Sequence, residues 1–175
     1  DRVRRGRPAV WARWGAAQAI NAGDYFFFAG TRALAESPHG ALLSPVVAGA
    51  LQRVIGGQVR DVGRQNRAPE EAEGAGELEA WEKMARGKTG ALFGACYHGG
   101  VIAGGGDAAQ AKSAGEFGER LGLLFQVQDD YLDLVGDKGR GEVGRDLAEG
   151  KWSFPLAWLL TYGDLESRKR LQAVV

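Results

Sequence analysis

Three carboxylates, Asp129, Asp130 and Asp133, stand close together in the run Phe125-Gln126-Val127-Gln128-Asp129-Asp130-Tyr131-Leu132-Asp133. The surrounding residues from Leu121 to Val135 are mostly apolar, contain no Pro, and have no Gly between Gly122 and Gly136. The pattern predicts a mostly buried helix. On it Asp129 and Asp133 are four residues apart and share a face, with Gln126 one turn upstream. Asp130 lies about 100° round from Asp129. Like charges so placed repel, and burying them unpaired costs several kcal/mol, on the order of 2–7 for a polar group alone. A cluster of cations at that face removes both penalties. Carboxylates without His or Cys suit a hard cation such as Mg²⁺, which takes one or two of them and fills its shell with water and phosphate oxygens. The residues alone therefore point to a Mg²⁺–diphosphate site on the inner wall of a helical bundle.

The elements that must position this run follow from its neighbours. A chain of 175 residues suits one domain with a real core. Lys+Arg and Asp+Glu are 22 each, so net charge argues for neither nucleic acid nor an anionic membrane as partner. The single cysteine, Cys96, cannot form an internal disulfide, and a reducing, cytoplasmic setting is expected. No apolar run is expected to reach the roughly 18 residues of a membrane span. The start, Asp1 to Pro8, has neither an initiator Met nor an apolar signal core and reads as the middle of a longer protein. Glycine is abundant, 28 residues, and many lie inside helical patterns, which implies close packing or close approach of a ligand.

The arginine-rich start is expected to be an extended basic loop ended by Pro8. Helical periodicity then runs from Val10 to about Ala35, split at Gly15, with the aromatic stripe of Trp11, Trp14 and Tyr25 to Phe28 expected in the core. A second helix, Leu42 to about Val62, is expected to break or kink at Gly56-Gly57, and Gly63 to Gly76 reads as a polar loop. Glu77 to Arg86 is a short amphipathic helix. Gly87-Lys88-Thr89-Gly90 opens the apolar run Ala91 to Ile102, with Lys88 offering a point charge to phosphate. The string lacks Walker spacing and a preceding strand. Asp107 is expected to cap a helix from Ala108 to Val135 that carries the aspartates. Gly136 to Gly144 is a charged loop, and an apolar helix runs from Ser153 to Tyr162 with Pro155 in its first turn. No β-alternation of useful length appears. The class is all-α, a bundle of roughly seven helices.

Six elements fall in a recognisable order. They are Arg4-Arg5-Gly6-Arg7-Pro8, Ala19-Ile20-Asn21-Ala22-Gly23-Asp24, Gly57-Gln58 with Asp61, Lys88-Thr89-Gly90, Phe125-Gln126 with DDYLD, and Asp146 with Lys151. Together they resemble the trans-isoprenyl diphosphate synthases (polyprenyl synthetases), in particular farnesyl or geranylgeranyl diphosphate synthase-like members, over nearly the whole chain.

The resemblance implies an isoprenoid synthase-type helical bundle around a central cavity, incomplete here. The single prenyl synthase domain over residues 1–175 would lack its N-terminal helices and C-terminal end. Two aspartate-rich motifs would bind Mg²⁺ through the diphosphate of an allylic substrate. Asp129, Asp130 and Asp133 match the second motif. The first would lie just before Asp1. Arg4 matches the arginine that holds the allylic diphosphate and Arg5 the one that holds isopentenyl diphosphate. Lys88, Thr89, Gln126 and Lys151 match residues lining the allylic diphosphate and nascent cation, and Lys88, Gln126, Asp129 and Lys151 are the expected catalytic set. The implied reaction is head-to-tail condensation of isopentenyl diphosphate with an allylic diphosphate, in a homodimer. Where many members carry a second lysine this chain has Gly141-Glu142, and Trp11 stands where many have His. Two other readings are a class I terpene cyclase and a non-catalytic subunit of a heteromeric synthase. The Arg pair argues against the first; Glu142 and the missing first motif keep the second open.

Overall fold

The computed structural model describes residues 2–4, 6–65, 76–136 and 143–172. The chain forms two compact units, Asp1–Pro45 and Val46–Val175. The all-α expectation holds: apart from one two-residue hairpin, the described elements are helical.

In the first unit β1 (Val3–Arg4) pairs antiparallel with β2 (Arg7–Pro8), Val3 opposite Pro8 and Arg4 opposite Arg7. The expected extended loop is thus a tight hairpin. Helix α1 (Val10–Trp14) stops at Gly15, whose φ of 87° an L side chain rarely adopts, and α2 (Ala16–Ala35) restarts at once. The split predicted at Gly15 is therefore present. The aromatic stripe is not core. Trp14, Tyr25, Phe26 and Phe28 are exposed, Tyr25 at 70% and Phe26 at 72%. Two helices and a hairpin supply no further layer to cover rings that point round most of α2's circumference.

Helix α3 (Gly40–Arg64) continues through Gly56-Gly57 without the expected break. A Cβ at Gly57 would sit 2.2 Å from the backbone nitrogen of Lys88, so the glycine serves backbone-to-backbone contact. Among the described residues, α3 is the one helix long and apolar enough by length and composition to cross a membrane, with a mean hydropathy of 1.2 over 18 residues. The expectation that no segment reaches that length therefore fails for α3. Its second half is engaged with protein: Arg53 makes paired hydrogen bonds to Glu119, and Asp61 accepts from Lys88. Most of the expected 63–76 loop lies outside the described residues.

Helix α4 (Glu77–Ala85), a π-turn (Arg86–Gly90) and α5 (Ala91–Ala103) follow without interruption. Asp107 caps α6 (Ala108–Val135) in a full capping box: Gln110 N donates to Asp107 Oδ1 at 2.8 Å, and Asp107 N donates to Gln110 Oε1 at 2.9 Å. Gly94, Gly118 and Gly122 line the seam between α6 and the stretch formed by the π-turn and α5, where an added Cβ would fall within 3 Å of the facing segment. Part of the glycine excess is explained there, whereas Gly23, Gly30, Gly49 and Gly63 have open space beside them. After the segment 137–142, outside the described residues, come α7 (Arg145–Ala148), α8 (Phe154–Tyr162) and α9 (Leu165–Gln172). The core joins Trp81, Met84 and Ala85 of α4 to Ala157 of α8, with Leu78, Leu123, Val127 and Phe154 against them.

Along α6 the acids lie inward as expected, but the expectation of a mostly buried helix fails for the apolar residues around them. Asp130 and Asp133 are buried, whereas Leu124, Phe125, Tyr131 and Val135 are exposed. The face that meets α4, α7 and α8 is the acidic one, because those elements bring donors for the carboxylates.

Candidate active site

Asp130 sits at the junction of three elements. Its Oδ2 accepts from Trp81 Nε1 at 2.9 Å and from the backbone N–H of Phe154 at 2.7 Å; its Oδ1 accepts from Gln126 Nε2 at 2.8 Å. The Ser153 side chain makes no cap bond to α8, and Pro155 has no N–H to offer. The first free amide of α8 is therefore satisfied by a carboxylate from α6, at the end where the helix dipole favours negative charge. Burial pushes the Asp130 carboxyl up from its ordinary range, against the pull of those three donors.

Gln126 continues the network. Its Oε1 accepts from Thr89 Oγ1 at 2.7 Å, which links the π-turn to α6. Lys88, the neighbour of Thr89, bonds Asp61 at 2.5 Å. An inserted residue of this kind is frequent at functional sites, and here it changes the direction in which residues 86–90 project.

Asp133 holds the next segment. Its Oδ2 accepts from Asp146 N at 2.8 Å, and its carbonyl accepts from Gly144 N at 2.6 Å. Those bonds carry Asp146 toward α6. Asp129, Asp130 and Asp146 each present an oxygen, and the three lie within 4.8 Å of one another. Oxygens around one Mg²⁺ at about 2.0–2.1 Å lie roughly 3 to 4 Å apart, so an all-carboxylate group of this size fits that cation. Lys151 Nζ bonds Asp146 at 2.8 Å and Glu149 at 2.7 Å. Burial pulls the Lys151 ammonium down, but the bonds to Asp146 and Glu149 more than reverse that and hold it at about 12. The bond from Lys151, then that from Arg145, holds Glu149 down at about 2.

Of the residues singled out from the sequence, Asp129 and Asp130 come together, with Thr89 and Gln126 joined to them by hydrogen bonds. Lys151 joins them through Asp146. Asp133 lies outside the group of three and engages the start of α7 instead. Arg4 is in the hairpin of the first unit, and Arg5 and Glu142 lie outside the described residues. Sequence reasoning gave Asp146 no metal role, although its spacing from Lys151 was a usable signal. Nothing in the sequence pointed to Trp81.

A family model for polyprenyl synthetase matches residues 1–175. The chain belongs to the polyprenyl synthetase family. A short chain isoprenyl diphosphate synthase of Methanothermobacter thermautotrophicus is 33% identical over 180 residues, covering 100% of this chain and 54% of that relative. A geranylgeranyl diphosphate synthase of Mycobacterium tuberculosis is 34% identical over 160 residues, covering 89% and 44%. Among solved structures of similar fold, a geranylgeranyl pyrophosphate synthetase from Pyrococcus horikoshii superposes with a TM-score of 0.84 at 31% identity, over 99% of this chain and 53% of that one. This polyprenyl synthetase chain thus spans about half the length of the relatives it matches.

Proposed function

We propose that the protein containing this chain is a prenyltransferase that condenses isopentenyl diphosphate head-to-tail with an allylic diphosphate to give a longer trans-prenyl diphosphate. One observation carries the reading: Asp129, Asp130 and Asp146 converge, with Lys151 bonded to the third. Family membership supports it. The cofactor in this reading is Mg²⁺, held by Asp129, Asp130 and Asp146, with Asp133 acting by holding Asp146 in place. Mg²⁺ when bound would neutralise charge on the leaving diphosphate.

The chain's own side chains do the rest. Lys88 and Lys151 exchange carboxylate partners for diphosphate oxygens as the allylic C–O bond breaks and the electron pair departs with the diphosphate. Arg4 and Arg5 hold the two diphosphates in the assembled protein. The Gln126 carbonyl and the backbone near Thr89 aim negative dipoles at the carbon left positive. The isopentenyl double bond attacks that carbon, and released diphosphate takes the proton whose loss restores the double bond. A dry pocket keeps water from capturing the cation. We further propose that both units are parts of one synthase domain and that the protein works as a homodimer in a reducing, cytoplasmic setting.

The test is product analysis of the full-length protein with labelled isopentenyl diphosphate and dimethylallyl, geranyl or farnesyl primers. Labelled prenyl diphosphates longer than the primer, formed only with Mg²⁺, are expected. Cyclised hydrocarbon from a primer alone, or no diphosphate release from any pair, would overturn the assignment.

A further inference from the structure

Trp81 is 2% exposed, and its indole N–H, a donor with no acceptor character, is spent on Asp130. An ionised carboxylate offers about four acceptor positions, two per oxygen. Trp81 Nε1 and Phe154 N occupy both on Oδ2, and Gln126 Nε2 occupies one on Oδ1. One position is left, on Oδ1. The indole ring is itself fixed, packed edge-on against Phe154 with ring centres 5.0 Å apart and surrounded by Met84, Ala85 and Ala157.

We propose that Trp81 is a positioning residue that makes Asp130 a one-oxygen ligand, by saturating Oδ2 and leaving only Oδ1 to face a cation. The inference rests on the reading of this site as a Mg²⁺–diphosphate centre. Its consequence is selectivity. Mg²⁺ demands near-ideal octahedral geometry with single-oxygen carboxylates, whereas the larger Ca²⁺ accepts two oxygens of one carboxylate. Removing the indole donor frees an Oδ2 position and lets Asp130 present both oxygens. The orientation of the carboxylate is loosened as well, and loss of such a supporting donor typically costs about 10- to 100-fold in metal affinity.

The test uses the full-length protein, inorganic diphosphate and Mn²⁺ as a paramagnetic stand-in for Mg²⁺, counted by electron paramagnetic resonance with Ca²⁺ as competitor. Three replacements are compared: Trp81→Phe, which lacks the donor; Trp81→Tyr, which keeps one; and β-(3-benzothienyl)alanine at position 81, which keeps the bicyclic shape and replaces N–H by sulfur. For Trp81→Phe and the sulfur isostere, Mn²⁺ affinity is expected to fall about tenfold, and Ca²⁺ to displace Mn²⁺ at several-fold lower concentration. Trp81→Tyr is expected to stay within about twofold of the original on both measures. Wild-type affinity and Ca²⁺ competition in the sulfur isostere would overturn the inference, and because the shape is kept that result stands even if Trp81→Phe fails to fold. An equal loss in Trp81→Tyr and Trp81→Phe, with the isostere unchanged, would assign Trp81 to packing alone. If the unaltered protein takes up no Mn²⁺ with diphosphate, the underlying reading of the site fails instead.

Discussion

Two carboxylate–cation pairs of the second unit look alike in a contact map and differ in what surrounds them. Arg64 at the end of α3 bonds Glu77 at the start of α4 with side-chain exposures of 14% and 4%. Lys151 bonds Asp146 with exposures of 27% and 20%. The first pair joins two helix ends and is sealed. The second sits beside Asp129 and Asp130, within reach of solvent, and its lysine is shared with Glu149. A sealed guanidinium–carboxylate pair is a fastener, because breaking it strands a buried charge. A half-open ammonium with two exchangeable acidic partners can give one up to a phosphate oxygen at little cost. The difference teaches that burial, more than distance, separates a pair confined to maintaining the fold from one free to take the part proposed for Lys151.

The comparison can be broken in four places, in order of expected effect. Asp129→Asn removes a charge from the carboxylate group with little change of shape. Product formation should fall by about three decades, the equivalent of roughly 4 kcal/mol of lost transition-state stabilisation, with the urea midpoint nearly unchanged. Glu77→Gln strands Arg64 and should destabilise the protein by about 3–5 kcal/mol in urea titrations, while activity per folded molecule holds. Equal loss of activity in the folded fraction would erase the distinction between the two pairs. Lys151→Gln should do the reverse, lowering kcat/KM by about 10²-fold and stability by less than about 1 kcal/mol.

The smallest effect is on pH. Glu149 is depressed from 4.5 to about 2, so its contribution to the folded state is complete above pH 4.5 and fades as pH falls through about 2. Lys151 is raised from 10.5 to about 12, so its contribution is complete below pH 10.5 and fades as pH rises through about 12. The pair should therefore keep its charges throughout the interval between 4.5 and 10.5, which carbon-detected NMR titration of the two side chains can follow. A step near neutrality in either resonance would contradict this.

Much of the architecture was legible because single residues announce it. Asp107 and Gly136 bound α6, Gly15 divides α1 from α2, and Pro155 marks the first turn of α8. The acidic run was legible as chemistry. Its surroundings were not, since a Leu or Phe on a helix does not say which side meets a neighbour; α6 turns its acids inward and leaves Phe125 and Tyr131 exposed. Gly56-Gly57 read as a break because glycine weakens isolated helices, and only the approach of Lys88 reveals its use. Asp146 needed the Asp133 side chain to bring it in. The donors on Asp130 come from α4, α6 and α8, a convergence that no spacing along one segment encodes.

The π-turn at 86–90 has a consequence for how this chain tolerates change in length. It lodges one residue more than an α-helical turn would hold between two stretches of one rod. Upstream, Trp81 and Met84 point into the α8 core; downstream, Gly94 points into the α6 seam. Deleting one residue from the five would let an ordinary helix heal across the gap with the stretches on either side still facing nearly as they do now. Gly94 would stay against α6, but the projection of residues 86–90 would change and Thr89 would lose Gln126. A one-residue deletion here is thus a local lesion: it should leave the flanking helices on their partners while withdrawing the side chains that reach Asp61 and Gln126.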